Sequence, residues 1–227
     1  MPTIRFNSRH MKKTTSSLSA LLIGCFCLFN AGSLFAQDQE RCVYSTWEWN
    51  TATRKSENHR RVDKLYSDVT GDERDPNSQC TVCERDQTWI RIDGLRAFRM
   101  CQHFADRVRS ALQEALARGF RIKTISAYRV GRSRGPLDAN NRRTGFSNHS
   151  FGTAIDINSH HNGLYGNCVK FSPSCALRRG GEWHPASPLS VTRDSPPYSA
   201  MSRAGFKWGG EIRGRQKDFM HFSLTGY

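Results

Sequence analysis

The sequence predicts an α+β fold: a single domain with a small antiparallel sheet, a long core helix and a cysteine-stapled N-terminal extension. Two patterns predict it. Residues 95–118 place apolar side chains at three- and four-residue steps, which is typical of an amphipathic helix. Short segments with β-branched and aromatic residues follow, separated by irregular stretches. A helix followed by interrupted strands favours an antiparallel sheet over alternating β-α-β units.

The long helix has recognisable ends, and the elements after it can be ordered. Asp93 is a candidate N-cap and Gly119 lies where a C-terminal cap residue is expected. Residues 121–126 alternate like a strand that delivers Arg129 to its end. A glycine- and arginine-rich loop is predicted over 131–143. Further strands are predicted at 153–158, 206–208 and 219–224, with a long loop over 160–195 and a short helix from Pro196 closed at Gly205.

The first 36 residues have the order of a secretory signal. Basic residues precede a short apolar run at 18–29, and small and polar residues follow, with cleavage expected after about Ala36. The run is too short for stable membrane insertion. Cys25 also permits a lipoprotein reading, against which the continued apolar run argues. We therefore predict a signal at 1–36, an extension at 37–92, a main domain at 93–227, and a periplasmic or secreted location.

The cysteines remaining after the signal are even in number, which predicts disulfides in an exported chain. Six cysteines allow fifteen pairings, and the sequence leaves the pairing open except for a local bridge between Cys168 and Cys175. The Cys80–Cys83 pair could also be half of a structural zinc site, but no second such pair follows. The other two cysteines are Cys42 and Cys101.

The chain is strongly basic, with a formal net charge of +14. Such a charge favours polyanionic surroundings and says nothing about the fold. Nucleic acid is not the expected partner, because the basic residues do not interleave with aromatics in a stacking platform and because the chain is predicted to be exported.

Two separated segments carry the residue types of a zinc site. His149 and Asp156 lie seven apart, on opposite faces of a flat strand, so that both can reach one ion only if the chain bends, as Gly152 permits. Asp218 and His221 lie three apart among bulky apolar residues, where polar groups are costly unless paired or metal-bound. Catalytic zinc commonly has three His or carboxylate ligands and an open position.

Other histidines are weaker candidates for the third ligand. His184 is the main rival of His221, but no carboxylate stands three residues before it. His160 and His161 follow a strand within an apparent exposed turn. Arg129, at the end of a predicted strand, could bind a substrate carboxylate or stabilise an oxyanion.

Four short motifs occur in order along the chain: Ser126-Ala127-Tyr128-Arg129, Ser147-x-His149-x-x-Gly152-x-Ala154-x-Asp156, Gly205-Phe206-Lys207-Trp208-Gly209-Gly210 and Asp218-x-x-His221-Phe222. Together they resemble those of the zinc metallopeptidases that include D-alanyl-D-alanine carboxypeptidases and L-alanyl-D-glutamate endopeptidases. The resemblance covers about residues 95–224.

The resemblance implies a role for each matching residue. It implies zinc ligands at His149, Asp156 and His221 and a general base at Asp218. It also implies Arg129 as a substrate or transition-state contact, Ser147 as support behind the ligands, and Trp208 as a substrate-binding residue.

The predicted function is therefore that of an exported zinc peptidase acting on the peptide stems of bacterial peptidoglycan. The Trp-Gly-Gly element and Asp218 favour cleavage between L-Ala and D-Glu. Removal of terminal D-Ala is the alternative within the same class. A zinc-stabilised module that binds cell wall without cutting it is the alternative of another class.

Overall fold

The N-terminal extension forms a long β-hairpin, which the sequence had not predicted. The computed structural model describes residues 40–227, so the predicted signal at 1–36 lies outside the described residues. Strand β1 (Arg41–Asn50) pairs antiparallel with β2 (Lys55–Leu65). Cys42, Tyr44 and Thr46 are buried at alternate positions of β1, as expected of a strand with one face on a core.

The remaining elements confirm the predicted α+β class. The elements after β2 are β3 (Gln87–Ile90), β4 (Phe98–Cys101), α1 (Gln102–Ala117), β5 (Ile125–Ser126), β6 (Arg132–Leu137), β7 (Arg143–Phe146), β8 (Ala154–Ile157), β9 (Leu164–Gly166), β10 (Ala176–Arg179), α2 (Pro196–Arg203), β11 (Lys207–Trp208), β12 (Gln216–Asp218) and β13 (His221–Ser223). The strands of the described residues form four small sheets with the orders β2-β1-β6-β7, β10-β9-β12, β11-β13-β8-β5 and β3-β4. Pairing is antiparallel except between β1 and β6.

The long core helix begins later than predicted, so Asp93 is not its N-cap. Helix α1 starts at Gln102, and the residues predicted as its first helical turns form an irregular turn and strand β4 instead. Contacts with distant residues override the helical spacing there, because β4 pairs with β3 and the Cys101 amide donates to the carbonyl of Gly152. The C-terminal end is as predicted, because Gly119 has φ of +84° and closes a Schellman motif with Phe120.

Two segments predicted as loops contain strands. The glycine- and arginine-rich stretch after Arg129 forms the hairpin β6–β7, and the predicted loop over 160–195 contains β9 and β10. The strand predicted at 121–126 shortens to β5, because the amides of Lys123 and Thr124 donate to the Asn158 side chain instead of a neighbouring strand. Helix α2 and the strands at 153–158, 206–208 and 219–224 are found within the predicted segments.

Three disulfides join the six cysteines of the described chain. Cys168–Cys175 is the local bridge that the sequence predicted, whereas Cys42–Cys83 and Cys80–Cys101 could not be chosen from spacing. The Cys80–Cys101 bridge ties the extension to the start of α1. The bonds are consistent with an extracellular or periplasmic protein. Among the described residues, no helix has both the length and the hydropathy that a membrane span requires.

Replacing both cysteines of the Cys42–Cys83 bridge by serine is expected to lower the free energy of unfolding by about 4 kcal/mol, because the bridge closes a long loop in the unfolded chain. The same change at Cys168 and Cys175, only 7 residues apart, should cost about 2.4 kcal/mol. Urea unfolding of both double variants tests this. Equal losses would show that loop closure does not govern the stabilisation.

Candidate metal centre and catalytic site

A sharp turn brings His149 to the site. His149 lies in a 3-10 turn, Asn148–Phe151, that ends at Gly152 with φ of +66°. A Cβ on Gly152 would lie 2.0 Å from the Gln87 side chain and 2.5 Å from the Cys101 amide nitrogen. Only glycine fits this backbone, for reasons of both φ and space. The bend predicted between His149 and Asp156 is therefore present.

Strand pairing brings Asp156 and His221 together from distant parts of the sequence. Asp156 of β8 is directly opposite His221 of β13 and, on the other edge, opposite Ser126 of β5. Residues directly opposite one another in an antiparallel pair project from the same face of the sheet. Both side chains are almost completely buried.

One carboxylate oxygen is the meeting point of the two imidazoles. Asp156 Oδ1 lies 3.1 Å from His149 Nε2 and 3.0 Å from His221 Nδ1. One ligand atom from each residue falls within 4.8 Å of the others. Tetrahedral zinc with bonds of about 2.0–2.2 Å separates its ligand atoms by roughly 3.3 Å, so this donor set fits a zinc ion in chemistry and in spacing.

The protonation states of these groups suit metal binding. Burial lowers the pKa of His149 to about 4, so its imidazole is neutral at pH 7. His149 Nδ1 lies 2.9 Å from both the Ala127 carbonyl oxygen and Arg129 Nη1, and these contacts hold the ring with Nε2 toward Asp156. Burial alone would raise the pKa of Asp156, but His149, the imidazole hydrogen bonds and Arg129 together hold it well below its usual range.

Arg129 contacts the cluster through Asp156 and His149. Its Nη2 donates to Asp156 Oδ2 at 2.8 Å, and its Nη1 donates to Ser126 Oγ at 2.8 Å. The ion pair occupies Oδ2 and turns Oδ1 toward the imidazoles. The Arg129 side chain remains 27% exposed, so part of the guanidinium faces solvent beside the cluster. A substrate contact remains a prediction.

Asp218 is a carboxyl group whose pKa is raised toward neutral pH. Its Oδ1 is buried without a hydrogen-bond partner in the described structure, which leaves Oδ2 as the oxygen open to solvent. Burial raises the pKa of Asp218 to about 6, with nearby Asp156 adding to the rise and His221 opposing it. A base with a pKa near the working pH is suited to proton transfer.

In metal-free protein, Asp218→Asn is expected to stabilise the fold above pH 7. The folded-state pKa lies above the usual value of 3.8, so wild-type stability is lost as pH rises from about 4 through 6. The variant should therefore gain up to about 3 kcal/mol at pH 8 and nothing below pH 4. Denaturant unfolding in chelator at both values measures this. A gain of equal size at both pH values would contradict ionisation as the cause.

Trp208 and Gly209 hold the segment that bears Asp218 and His221. The Trp208 indole is 5% exposed and donates to the Phe219 carbonyl at 2.8 Å. Phe219 in turn stacks on Trp183 at 3.9 Å between ring centroids. Trp208 therefore packs beneath the site, and its predicted contact with substrate is not tested by this geometry.

Gly209→Ala is expected to reduce hydrolysis about 100-fold, because a Cβ there would lie 2.4 Å from the Asp218 carbonyl oxygen and 3.2 Å from the His221 Cβ. Displacing catalytic groups by about 1 Å commonly has an effect of that size. Gly71→Ala is the matched control, since its Cβ would meet nothing within 4 Å. Comparison of kcat for the two variants tests the prediction, and equal activities would contradict it.

The other predicted residues lie apart from the ligand atoms. The Ser147 hydroxyl is 3.4 Å from that of Ser150, so it supports the turn carrying His149 without touching a ligand. His184 is exposed and pairs with Glu182, and His160 is exposed. Neither they nor His161 belongs to the metal-competent group found among the described residues.

Sequence reasoning did not single out two features of the site. One is the Ala127 carbonyl, which orients His149. The other is the glycine at position 209, whose missing side chain admits Asp218 and His221. The repeated glycines after Trp208 were a usable signal for the second, whereas a backbone carbonyl carries no residue-specific signal.

Comparison with known families bears on this site. Residues 140–224 match a family model described as D-alanyl-D-alanine carboxypeptidase. The predicted family resemblance is confirmed over these residues. The matched segment includes His149, Asp156, Trp208, Asp218 and His221, whereas Arg129 and the N-terminal hairpin lie outside it. No curated protein and no solved structure matches the chain. The match supports a peptidase of this type over residues 140–224.

Proposed function

We propose that this chain is an exported, zinc-dependent peptidase that hydrolyses the peptide stems of bacterial peptidoglycan, cutting between L-Ala and D-Glu. The observation that carries the proposal is the convergence of His149, Asp156 and His221 on one point, with the pKa-raised Asp218 beside them. The family match supports the substrate class, and the disulfides support export.

In the proposed site, zinc would be held by His149, Asp156 and His221, whose ligand atoms converge from three separate elements. When bound, it would supply Lewis acidity, which activates water and polarises a carbonyl. Three ligands of this type are typical of catalytic zinc. The Ala127 carbonyl and the Arg129 guanidinium act as outer partners that orient His149 and Asp156.

The chain's own acid–base group is Asp218. Its Oδ2 accepts a proton from the attacking water and returns that proton to the leaving amine. Burial keeps the pKa near 6, so the carboxylate is ionised at neutral pH and still basic enough to accept a proton. The positive charge of Arg129 beside the cluster favours the negative charge that develops on the scissile oxygen.

A muropeptide digest with metal analysis tests this function. We expect about one zinc per chain and fragments that separate L-Ala from D-Glu, detected by mass spectrometry. Loss of a single D-Ala would identify the D-alanyl-D-alanine carboxypeptidase activity that the family description names. Bound zinc with intact muropeptides would indicate a binding module and would overturn the proposed catalysis.

A further inference from the structure

The N-terminal hairpin forms one wall of a cavity that shares Arg129 with the candidate metal centre. The cavity has a volume of about 540 Å³, within the range of ligand sites. Its walls come from β1, from β2 and from the segment Tyr128–Val130, which includes Arg129. Arg129 contacts Asp156 directly, so the cavity and the metal centre share this arginine.

The Trp47 ring of β1 packs against Gly131 and so joins the hairpin to the segment that follows Arg129. The register of β1 and β2 shifts between Thr46 and Glu48, where Asn58, with φ of +52°, adds an extra residue to β2 opposite Trp47. A Cβ on Gly131 would lie 2.4 Å from the Trp47 ring. Gly131 also bonds through its amide to Ser150 in the turn that carries His149.

The cavity carries more positive than negative charge. Of the described residues that line it, four are arginines and one, Glu84, is acidic. Two of the arginines have carboxylate partners outside the lining: Arg60 pairs with Glu48 at 3.0 Å and Arg129 with Asp156 at 2.8 Å.

The excess positive charge therefore comes from Arg61 and Arg99. They share Glu84, at 4.0 Å and 3.4 Å, so it cannot neutralise both. Arg61 is 62% exposed and its guanidinium is therefore available to a ligand. Arg99 lies over the Tyr128 ring, on the cavity wall.

We propose that this groove binds the carboxylate-bearing part of the substrate's peptide stem, next to the bond that is cut. The inference rests on the proposed function and assigns the extension a role in substrate recognition. Guanidinium groups pair with carboxylates through charge-assisted, often bidentate hydrogen bonds. A stem peptide carries free carboxylates at D-Glu and at its C-terminus, whereas its amidated form carries none at these positions.

The test compares two synthetic stem peptides, one with free carboxylates and one with carboxamides in their place. Arg61→Glu is expected to raise KM for the carboxylate peptide about fivefold, the upper range for a single exposed ion pair, with kcat unchanged. KM for the carboxamide peptide should not rise. Lys55→Glu, an exposed change of equal charge on the same strand outside the groove lining, is the control. Equal effects of the two variants on KM, or no effect of Arg61→Glu, would overturn the proposal that the groove binds the substrate's carboxylates.

Failure of the proposed function is distinguishable from failure of the groove. If wild-type protein cuts neither peptide, the catalytic proposal fails, and the groove is judged by calorimetric binding of the carboxylate peptide to Asp218→Asn. Binding that weakens about fivefold when Arg61→Glu is added supports the groove. Binding that is unchanged, or absent before the Arg61 change, overturns it.

Discussion

Asp218→Asn is expected to reduce kcat for muropeptide hydrolysis by about 10²–10⁴-fold, the usual contribution of a positioned general base. Asparagine keeps the shape of the side chain but cannot accept the proton of the attacking water. Zinc content should be unchanged, because the three candidate ligand atoms belong to other residues. Single-turnover kinetics and metal analysis of the same sample test both expectations.

The control for this variant is Asp194→Asn, which removes one carboxylate from an exposed position elsewhere. It should retain wild-type kcat and zinc content. Unchanged turnover in Asp218→Asn would remove Asp218 from the mechanism. Loss of zinc in that variant would instead show that Asp218 acts on metal binding, contrary to its proposed role as base.

Asp156→Asn is expected to abolish hydrolysis and weaken zinc binding by more than the roughly 10–100-fold that follows loss of an outer-shell partner. Asp156 supplies the one negative charge among the three candidate ligands, and both imidazoles contact its Oδ1. Its Oδ2 accepts from Arg129, so metal-free protein should also lose about 1.5–3 kcal/mol of stability, the usual worth of a hydrogen bond to a charged group.

Asp75→Asn is the matched control, since Asp75 is also buried and accepts a hydrogen bond from Ser78, but in the N-terminal extension. It should bind zinc as wild type does. Zinc competition with a chromogenic chelator and urea unfolding provide the two measurements. Retention of wild-type zinc affinity in Asp156→Asn would exclude Asp156 as a ligand.

Much of the site chemistry could be predicted from local sequence. His149, Gly152 and Asp156 lie within one short segment, and Asp218 and His221 within another. The residue types and the glycine were sufficient to predict a bend and a shared metal. The ends of α1 show the limit of such reasoning: Gly119 closes the helix by its own φ, whereas its start depends on a disulfide and on pairing with β3.

Local patterns were least informative where strands depend on distant partners. The hairpin β1–β2 is rich in charged residues, and its second strand is largely exposed, so its sequence lacks clear apolar alternation. The β6–β7 hairpin is similarly polar, and its order comes from pairing with β1. Strand propensity depends strongly on neighbouring strands, which a single segment does not reveal.

The sequence by itself determined the α+β class and the local Cys168–Cys175 bridge, because each depends on residue type and short spacing. The candidate zinc ligands and their base are what its family resemblance implies. Only the tertiary structure decided that His221 lies directly opposite Asp156 on the neighbouring strand and that Arg129 forms an ion pair with Asp156. It also decided that the N-terminal hairpin lines a cationic groove that includes Arg129. These are contacts between residues far apart in the chain, and they are created by strand register and by disulfides that no local pattern encodes.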